Sequence, residues 1–393
     1  MAAPTTDPTA ATLANRRGAQ APDYGEPMST TSSYAFVQGV HLSRTEENVA
    51  EIDALAELLG GRVGVDALLD DLNRRGRRSW APGRAVHRAL TWDAEDRRTR
   101  HWWPQGISTS ADASDTGDIA GRRVVVTTWY AHDLPGQAHR GSRVTFLDLD
   151  SRRYRHVLLV VPALADDGTV RLEPLQVHAG GIVWFGPYLH IASTSRGFMT
   201  CRAEDLLRIP DERASGNPTR LGVDGDRVSS YGYRYLLPVR FAYRASTAKG
   251  FQKLRYSFLS LDHDTKPPEL VVGEYARGRQ TRRLARFPLD PETKLLVDGE
   301  DGLSRPLMLD DGGVGQMQGA TVARGRYFVT TSHGPSMPGS VHVGRPGAFH
   351  RHRWAAPPGP EDIAYWPSTD LLWSVSEHPG RRWVFSMRRS WFD

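Results

Sequence analysis

The chain has 393 residues, of which 39% are hydrophobic and 24% are charged, so most of it should fold, as one large domain or two ordinary ones. Its 50 Lys and Arg residues barely outnumber its 45 Asp and Glu residues, and the arginines are scattered as pairs, which argues against a nucleic-acid-binding protein. The single cysteine excludes a disulfide within the chain, and no apolar run is long enough to span a membrane.

The first 33 residues are rich in Pro, Ala, Thr and Ser, a composition that predicts a disordered tail. This segment lacks the apolar core of a signal peptide. We therefore expect a cytoplasmic protein, or a secreted one if a leader has been removed.

Residues 34–85 contain the helical patterns of the chain. In "SRTEENVAEIDALAELLGG", Ser43 and Glu46 have the spacing of a capping box, and apolar residues recur at helical spacing up to Gly60. "VDALLDDLNRRG" repeats the pattern more briefly. We predict a small helical hairpin that packs as an appendage; a cap over a binding site is the alternative.

Residues 86–393 read as short strands separated by turns, with a faint internal repeat. "HRALTWDAEDRRTRHWWP" and "SRVTFLDLDSRRYRHVLLVVP" each give a strand, an acidic turn, a basic pair and a second strand, and units such as "AGGIVWFGPYLHIASTSRGFMTCRAEDL" give three strands. Together they form a four-stranded meander that recurs at about 50–70 residues, which is typical of propeller blades. We predict an all-β protein with a five-bladed β-propeller; six blades are the runner-up, and a β-sandwich fits the repeat less well.

The last predicted blade ends after three strands. Its fourth strand must come from elsewhere in the chain if the sheet is to have no open edge. The segments "HRALTW" and "RTRHWW" near the start of the propeller region are both free to supply it.

In a propeller, the innermost strand of each blade lines a central channel, and the starts of these strands surround one mouth of it. Four of the five predicted inner strands begin with polar residues, which are Gln105, His178, Gln318, and Glu361 with Asp362; the third opens less clearly, with Arg255 and Tyr256. Burying such groups unpaired costs roughly 1–3 kcal/mol each. The pattern therefore predicts a mouth that holds water or a ligand.

Four residues are candidates for catalysis, namely Glu361, Asp362, His178 and Asp112. Crowded carboxyls can hold a proton near neutral pH, and Asp112 or His178 could complete an acid/base pair. Because neighbours on a strand point to opposite faces, we expect only one of Glu361 and Asp362 to face the channel; which one is open.

Amide, cationic and aromatic side chains near the same mouth are candidates for binding a substrate. They are Gln105, Gln318, Trp103, Trp129, Tyr130, Arg255, Tyr256 and Tyr365. Aromatic rings could stack on a sugar or a polycyclic ligand. Alternatively, His178, an acid and the amide oxygens could bind a divalent cation, Ca or Zn, although no metal-binding motif is present.

The segments "WWPQGISTSADASD", "VHAGGIVWFGPYLHIAST" and "GPEDIAYWPSTDLLWS" resemble those of uncharacterised, often secreted actinobacterial propeller-like proteins, over residues 88–390. The architecture is also similar to propeller enzymes of the lactonase/strictosidine-synthase type and of the five-bladed furanosidase type. That resemblance implies carboxylates at the channel mouth, with or without a metal, but no particular activity.

The sequence thus favours an enzyme that acts on a small polar, sugar-like or polycyclic metabolite by acid/base or electrostatic catalysis. Hydrolase, lyase and cyclase chemistry all stay open, in a setting such as secondary metabolism. We expect a monomer whose partner is a small-molecule substrate, without nucleic acid or membrane. The alternative is a non-catalytic propeller that binds a glycan or a protein.

Overall fold

Strand pairing in the computed structural model, which describes residues 34–135 and 139–393, gives five antiparallel units of four strands. The tail predicted at 1–33 lies outside the described residues. The strands of the five units, innermost first, are Trp102–Thr109, Val124–Ala131, Ser142–Asp148 and Arg153–Leu164; Ile182–Phe185, Tyr188–Ala192, Gly197–Arg202 and Tyr235–Thr247; Phe258–Asp262, Glu269–Gly273, Arg283–Pro288 and Met308–Asp311; Met317–Ala323, Arg326–Thr331, Pro338–Arg345 and Ala348–Pro358; and Pro360–Trp366, Leu371–Ser376, Trp383–Arg388 and Val86–Thr91.

The five inner strands form a closed ring. Each packs against the inner strands of the units before and after it, and the inner strand of the fifth unit packs against that of the first. The predicted all-β, propeller-type fold is confirmed. Parallel pairing of Leu236–Pro238 with Leu158–Val160 merges the first two units into one sheet, so the number of separate blades, five or six, stays a prediction.

The fifth unit is completed by an early segment of the chain. Val86–Thr91 pairs antiparallel with Trp383–Arg388, so "HRALTW" rather than "RTRHWW" supplies the missing strand. The short strand Arg77–Arg78 then covers the outer side of Val86–Thr91. An early strand and the last strand of the chain are therefore joined within one sheet, which leaves less open edge for unwanted pairing.

Glycines allow the inner strands to approach closely. A Cβ on Gly181 would lie 2.2 Å from the Leu259 nitrogen, and one on Gly319 would lie 2.5 Å from the Cα of Asp362. Real Cβ atoms do not make such contacts, so glycine is required at these two positions. The inner strands therefore crowd together at positions that only glycine can occupy.

The region 34–85 contains two helices, Val49–Leu59 and Gly64–Asp70. The predicted capping box is wrong, because Ser43 belongs to the strand Val40–Arg44, which pairs with the end of Tyr235–Thr247, and the first helix begins only after Asn48. The domain boundary at residue 86 stays a prediction.

The remaining elements are short. The helices are Ala94–Arg98 and Ser110–Ala113, with 3-10 turns at Ala203–Asp205, Pro367–Thr369 and Arg389–Phe392; the strands are Arg74–Arg75, Val170–Pro174, Leu207–Arg208, Leu221–Asp224, Arg227–Ser230 and Leu303–Ser304. None of the helices in the described ranges has the length and apolar character to cross a membrane.

Candidate functional site

A pocket of about 530 Å³ opens at the end of the ring where the inner strands begin. All five units contribute to its lining. The predicted residues among the lining are Gln105, His178, Arg255, Gln318 and Glu361. The sequence therefore places these five side chains correctly around one cavity, while their functional roles stay predictions.

Local irregularities in three inner strands set the directions of the polar side chains near the start of each strand. The pairing of each strand with its neighbour shifts register between Pro104 and Ile107, between Met317 and Gly319, and between Pro360 and Ile363. Such β-bulges bend a strand and redirect its side chains. Gln105, Gln318, Glu361 and Asp362 all lie within or beside these bulges.

Two carboxyls meet in the pocket. Glu361 begins the inner strand of the fifth unit, and Glu377 follows the second strand of the same unit, where pairing of Pro360 with Ser376 brings the two segments together. The two carboxyls are close enough that each changes the pKa of the other. Glu361 is only 3% exposed, whereas the Glu377 side chain is 16% exposed, so Glu377 is the more accessible member of the pair.

Two glutamine amides hold the carboxyls in place. Nε2 of Gln105 donates to Oε2 of Glu377 at 3.0 Å, and Nε2 of Gln318 donates to Oε1 of Glu361 at 3.2 Å. These glutamines come from the first and fourth units, on either side of the fifth. The acid pair is thus positioned by its two neighbouring units.

The surroundings favour one proton shared by this pair. Burial raises the pKa of Glu361 well above its ordinary value, and the charge of Glu377 and the hydrogen bond to it raise this pKa further. Burial also raises the pKa of Glu377, but hydrogen bonds from Gln105 and Glu361 and the charge of Arg382 oppose that rise. Of the two carboxyls, Glu361 is therefore the one that keeps its proton to higher pH.

Asp362 turns away from the pocket into the centre of the ring. It is fully buried, and its Oδ2 accepts hydrogen bonds from the backbone nitrogens of Ile107 at 3.3 Å and Ile182 at 3.4 Å, in the first and second units. Burial raises the pKa of Asp362 well above its ordinary value. Of the two adjacent acids, Glu361 faces the pocket, and Asp362 ties inner strands together beneath it.

Asp112 lies at the other end of the ring. It follows the last residue of the inner strand Trp102–Thr109, whereas Gln105 lies near the beginning of that strand. Its carboxylate accepts hydrogen bonds from the Ser108 hydroxyl at 2.6 Å and from Nε2 of His263 at 2.7 Å. The predicted pairing of Asp112 with the mouth residues is therefore wrong, because the length of a strand separates them.

Aromatic rings lie beside the pocket. Tyr130 stacks on His178 with ring centres 4.5 Å apart, and His178 is exposed to the cavity. Trp103 lies between the rings of His132 and His378, at 5.6 and 5.8 Å, and is partly exposed. These rings offer apolar faces at the rim.

Three predicted binding residues lie elsewhere, because their side chains are part of the packed interior. Trp129 is fully buried against Trp92 and two arginines, and Tyr256 is 1% exposed within the core between the second and third units. Tyr365 is near the far end of its inner strand, where its hydroxyl donates to Oδ1 of Asp370 at 2.9 Å. The prediction that these residues line the mouth is wrong.

Arg382 is a buried cation behind the acid pair that the sequence did not single out. Its Nε donates to the backbone oxygen of Glu377 at 2.6 Å, and its Nη1 donates to that of Asp96 at 2.8 Å. Burial and the nearby Arg143 lower the pKa of Arg382 to about 9. Arg382 fixes the turn that carries Glu377.

The residues at the mouth do not fit the suggested divalent cation. Over residues 34–135 and 139–393, no three His, Cys, Asp or Glu side chains are grouped so that they could hold a metal ion. The amide hydrogens of Gln105 and Gln318 point at the two carboxyls and would compete with a hard cation such as Ca²⁺ for their oxygen atoms.

No protein-family model matches the chain, and no curated protein matches it. Among solved structures, the chain is similar to a gluconolactonase from Xanthomonas campestris (15% identity, 80% of this chain and 88% of that one, TM-score 0.33) and to a GH43_1 enzyme from Xanthomonas citri (11%, 74% and 88%, 0.33). It is also similar to the β-propeller domain of Cps50 (Swd1) from Myceliophteria thermophila (11%, 74% and 98%, 0.33). These superpositions are loose, and nothing about function follows from them.

Proposed function

We propose that the protein is a hydrolase that uses Glu361 and Glu377 as an acid/base pair on a carboxylic ester or lactone of a small, polar, sugar-like metabolite. The observation that carries this proposal is a pair of carboxyls, each held by a glutamine amide, in the lining of one pocket. Two carboxyls that share one proton offer an acid and a base at one point, an arrangement suited to adding water to a carbonyl group.

The proposed reaction begins with Glu361 protonated and Glu377 ionised. Glu377 takes a proton from water as the water oxygen bonds to the carbonyl carbon, and Glu361 gives its proton to the carbonyl oxygen. The tetrahedral intermediate then collapses. The bond to the alcohol oxygen breaks, Glu377 returns its proton to that oxygen, and Glu361 regains one from the intermediate's hydroxyl. The products are an acid and an alcohol, and the pair is restored.

The closeness of the two carboxyls argues against a glycosidase of the usual kind. Glycosidases with two carboxylates keep them about 5–5.5 Å apart when they retain configuration and about 6.5–9.5 Å apart when they invert it. Glu361 and Glu377 lie side by side and shift each other's pKa, which favours a reaction at one point over cleavage of a bond held between two separated acids. Addition of water to a carbonyl needs no such gap.

The lining of the pocket supports a small polar substrate. Gln318, Gln280 and Arg255 supply hydrogen-bonding groups, and the stacked rings of Tyr130 and His178 supply an apolar face at the rim. A volume of about 530 Å³ lies within the range of small-molecule sites, roughly 300–1,000 Å³. A monosaccharide-sized lactone has both the polar edge and the apolar face that such a site needs.

The test is a panel of sugar lactones, acyl esters and aryl glycosides, assayed for hydrolysis by the purified protein. E361Q and E377Q should each abolish the hydrolysis of a lactone or ester, whereas E300Q, which changes an exposed glutamate, should not. If no lactone or ester is turned over, or if both pocket variants stay active, the proposal fails. Binding of glycans without turnover would favour the non-catalytic alternative.

The proposal also includes what the sequence suggested about context, which is a cytoplasmic monomer acting in secondary metabolism and related to actinobacterial proteins. Analytical ultracentrifugation tests the oligomeric state. Fractionation of the source cells tests the location.

A further inference from the structure

A second cleft, of about 890 Å³, lies at the end of the ring opposite the mouth, between the fifth and first units. One wall is the turn that follows Trp366, at the far end of the strand that begins near Glu361. The other wall is the turn between the third and fourth strands of the first unit, residues 149–152. This cleft takes no part in the chemistry proposed for the mouth.

The floor of the cleft is apolar. Trp366 and Trp373 are 3% and 6% exposed, and Leu90, Leu149 and Leu371 pack against the same cluster while staying partly open to the cleft. A flat or chain-like apolar group could lie on this floor and remove it from water.

The rim of the cleft is strongly basic. Within the described part of the chain, the side chains of Arg78, Arg88, Arg152 and Arg388 line the cleft without an ion pair or hydrogen bond to another residue. Nε of Arg152 is buried and lacks a partner. Four guanidinium groups around one cavity favour the binding of an anion.

The acids of this cleft are already engaged. Asp150 pairs with Arg123, and Asp370 accepts a hydrogen bond from Nε of Arg389 at 2.8 Å. They leave the four free arginines unneutralised. In agreement, burial and the charges of Arg388 and Arg88 lower the pKa of His87, which also lines the cleft.

We propose that this cleft binds an organic anion, a carboxylate or a phosphate monoester attached to an apolar body, with the anionic group at the arginines and the apolar body on the tryptophan floor. Charge complementarity selects the head of the ligand, and the buried tryptophans select its body. The volume admits one molecule of about the size of a typical cofactor or lipid fragment.

Calorimetric titration with 2-naphthoate and 2-naphthyl phosphate tests the proposal, with the uncharged 2-naphthalenemethanol as the matched probe. At least one anion should bind the wild-type protein, and the alcohol should bind at least about tenfold more weakly. R88Q/R388Q should weaken binding of the anion by at least about tenfold, whereas R279Q, which changes an exposed arginine of the third unit, should not.

Three outcomes would overturn the proposal: neither anion binds, the alcohol binds as tightly as the anions, or R88Q/R388Q binds as tightly as the wild type. The comparison of probes uses the wild-type protein alone, so it decides the matter even if the double variant fails to fold. Tight binding of a duplex DNA fragment in place of both naphthyl anions would also overturn it.

Discussion

Glu361 and Glu377 lie beside each other in the fifth unit, where the charge of Glu377 adds to the rise that burial causes in the pKa of Glu361. Gln318 and Gln105 each bind one member of the pair, from the units on either side. The fifth unit thus brings the two acids together, and the closed ring adds the two amides that hold them.

The first prediction concerns the pH dependence of hydrolysis. The proposed reaction requires Glu377 ionised and Glu361 protonated, so kcat/KM should fall at low pH as Glu377 takes up a proton and at high pH as Glu361 loses one. Because the pKa values of both groups are raised, both limbs should lie above the ordinary glutamate value of 4.5. E361Q and E377Q should lower kcat by about 100-fold or more. A rate that rises steadily with pH would contradict this.

The second prediction concerns stability. The unfolded chain releases the Glu361 proton near pH 4.5, whereas the native protein, with its raised pKa, holds this proton to higher pH. Between these two values the native state binds more protons, so the free energy of unfolding falls as pH rises. E361Q has no carboxyl to ionise at this position and so avoids this loss of stability. At pH values above the raised pKa of Glu361, its free energy of unfolding should exceed that of the wild type by about 1 kcal/mol. Urea unfolding at several pH values measures the free energies of unfolding of both proteins. If E361Q is more stable than the wild type only below pH 4.5, the prediction is contradicted.

The third prediction concerns His263 and Asp112. Burial lowers the pKa of His263, but the hydrogen bond to Asp112 and its charge outweigh burial and raise the pKa above 6.5. The pair therefore stabilises the protein fully below pH 6.5, and this contribution is lost as pH rises through the raised pKa. H263Q should cost about 1–3 kcal/mol below pH 6.5 and less at high pH. The control is H350Q, which replaces an exposed histidine. If the destabilisation caused by H263Q does not change with pH, the His263–Asp112 pair does not stabilise the protein in the way described.

The fourth prediction concerns the crowding of the inner strands. G181A places a Cβ 2.2 Å from the Leu259 nitrogen and should destabilise the protein by about 3 kcal/mol. G315A adds a Cβ with no atom within 4 Å and should change stability by no more than about 0.5 kcal/mol. Thermal unfolding of both variants decides this. Equal melting temperatures of the two variants would mean that the inner strands do not approach each other closely at Gly181.

The sequence predicts the propeller-type fold because each four-stranded unit repeats its turns and its alternation. It also predicts five of the polar residues that line the mouth, since inner strands that begin alike end up side by side. The prediction for Asp112 is wrong because this residue lies beyond the end of its strand. A strand rises about 3.3 Å per residue, so Asp112 emerges at the end of the ring opposite the mouth.

The β-bulges explain why the sequence left the directions of Glu361 and Asp362 open. Strict alternation assigns Glu361 and Asp362 to opposite faces, but the bulge between Pro360 and Ile363 instead sends one into the pocket and the other into the centre of the ring. No local sequence pattern predicts this bulge. Glu377 could have been found, because the turn between the second and third strands of a meander returns to the face where the first strand begins.

The most direct test of the central claim is a ¹³C NMR titration of the glutamate carboxyl carbons in the wild type, E361Q and E377Q. We expect one carboxyl, absent from the E361Q spectrum, to stay protonated well above pH 4.5, and we expect E377Q to alter its titration. If Glu361 and Glu377 both titrate near pH 4.5 and neither responds to replacement of the other, they do not share a proton, and the account of the site is contradicted.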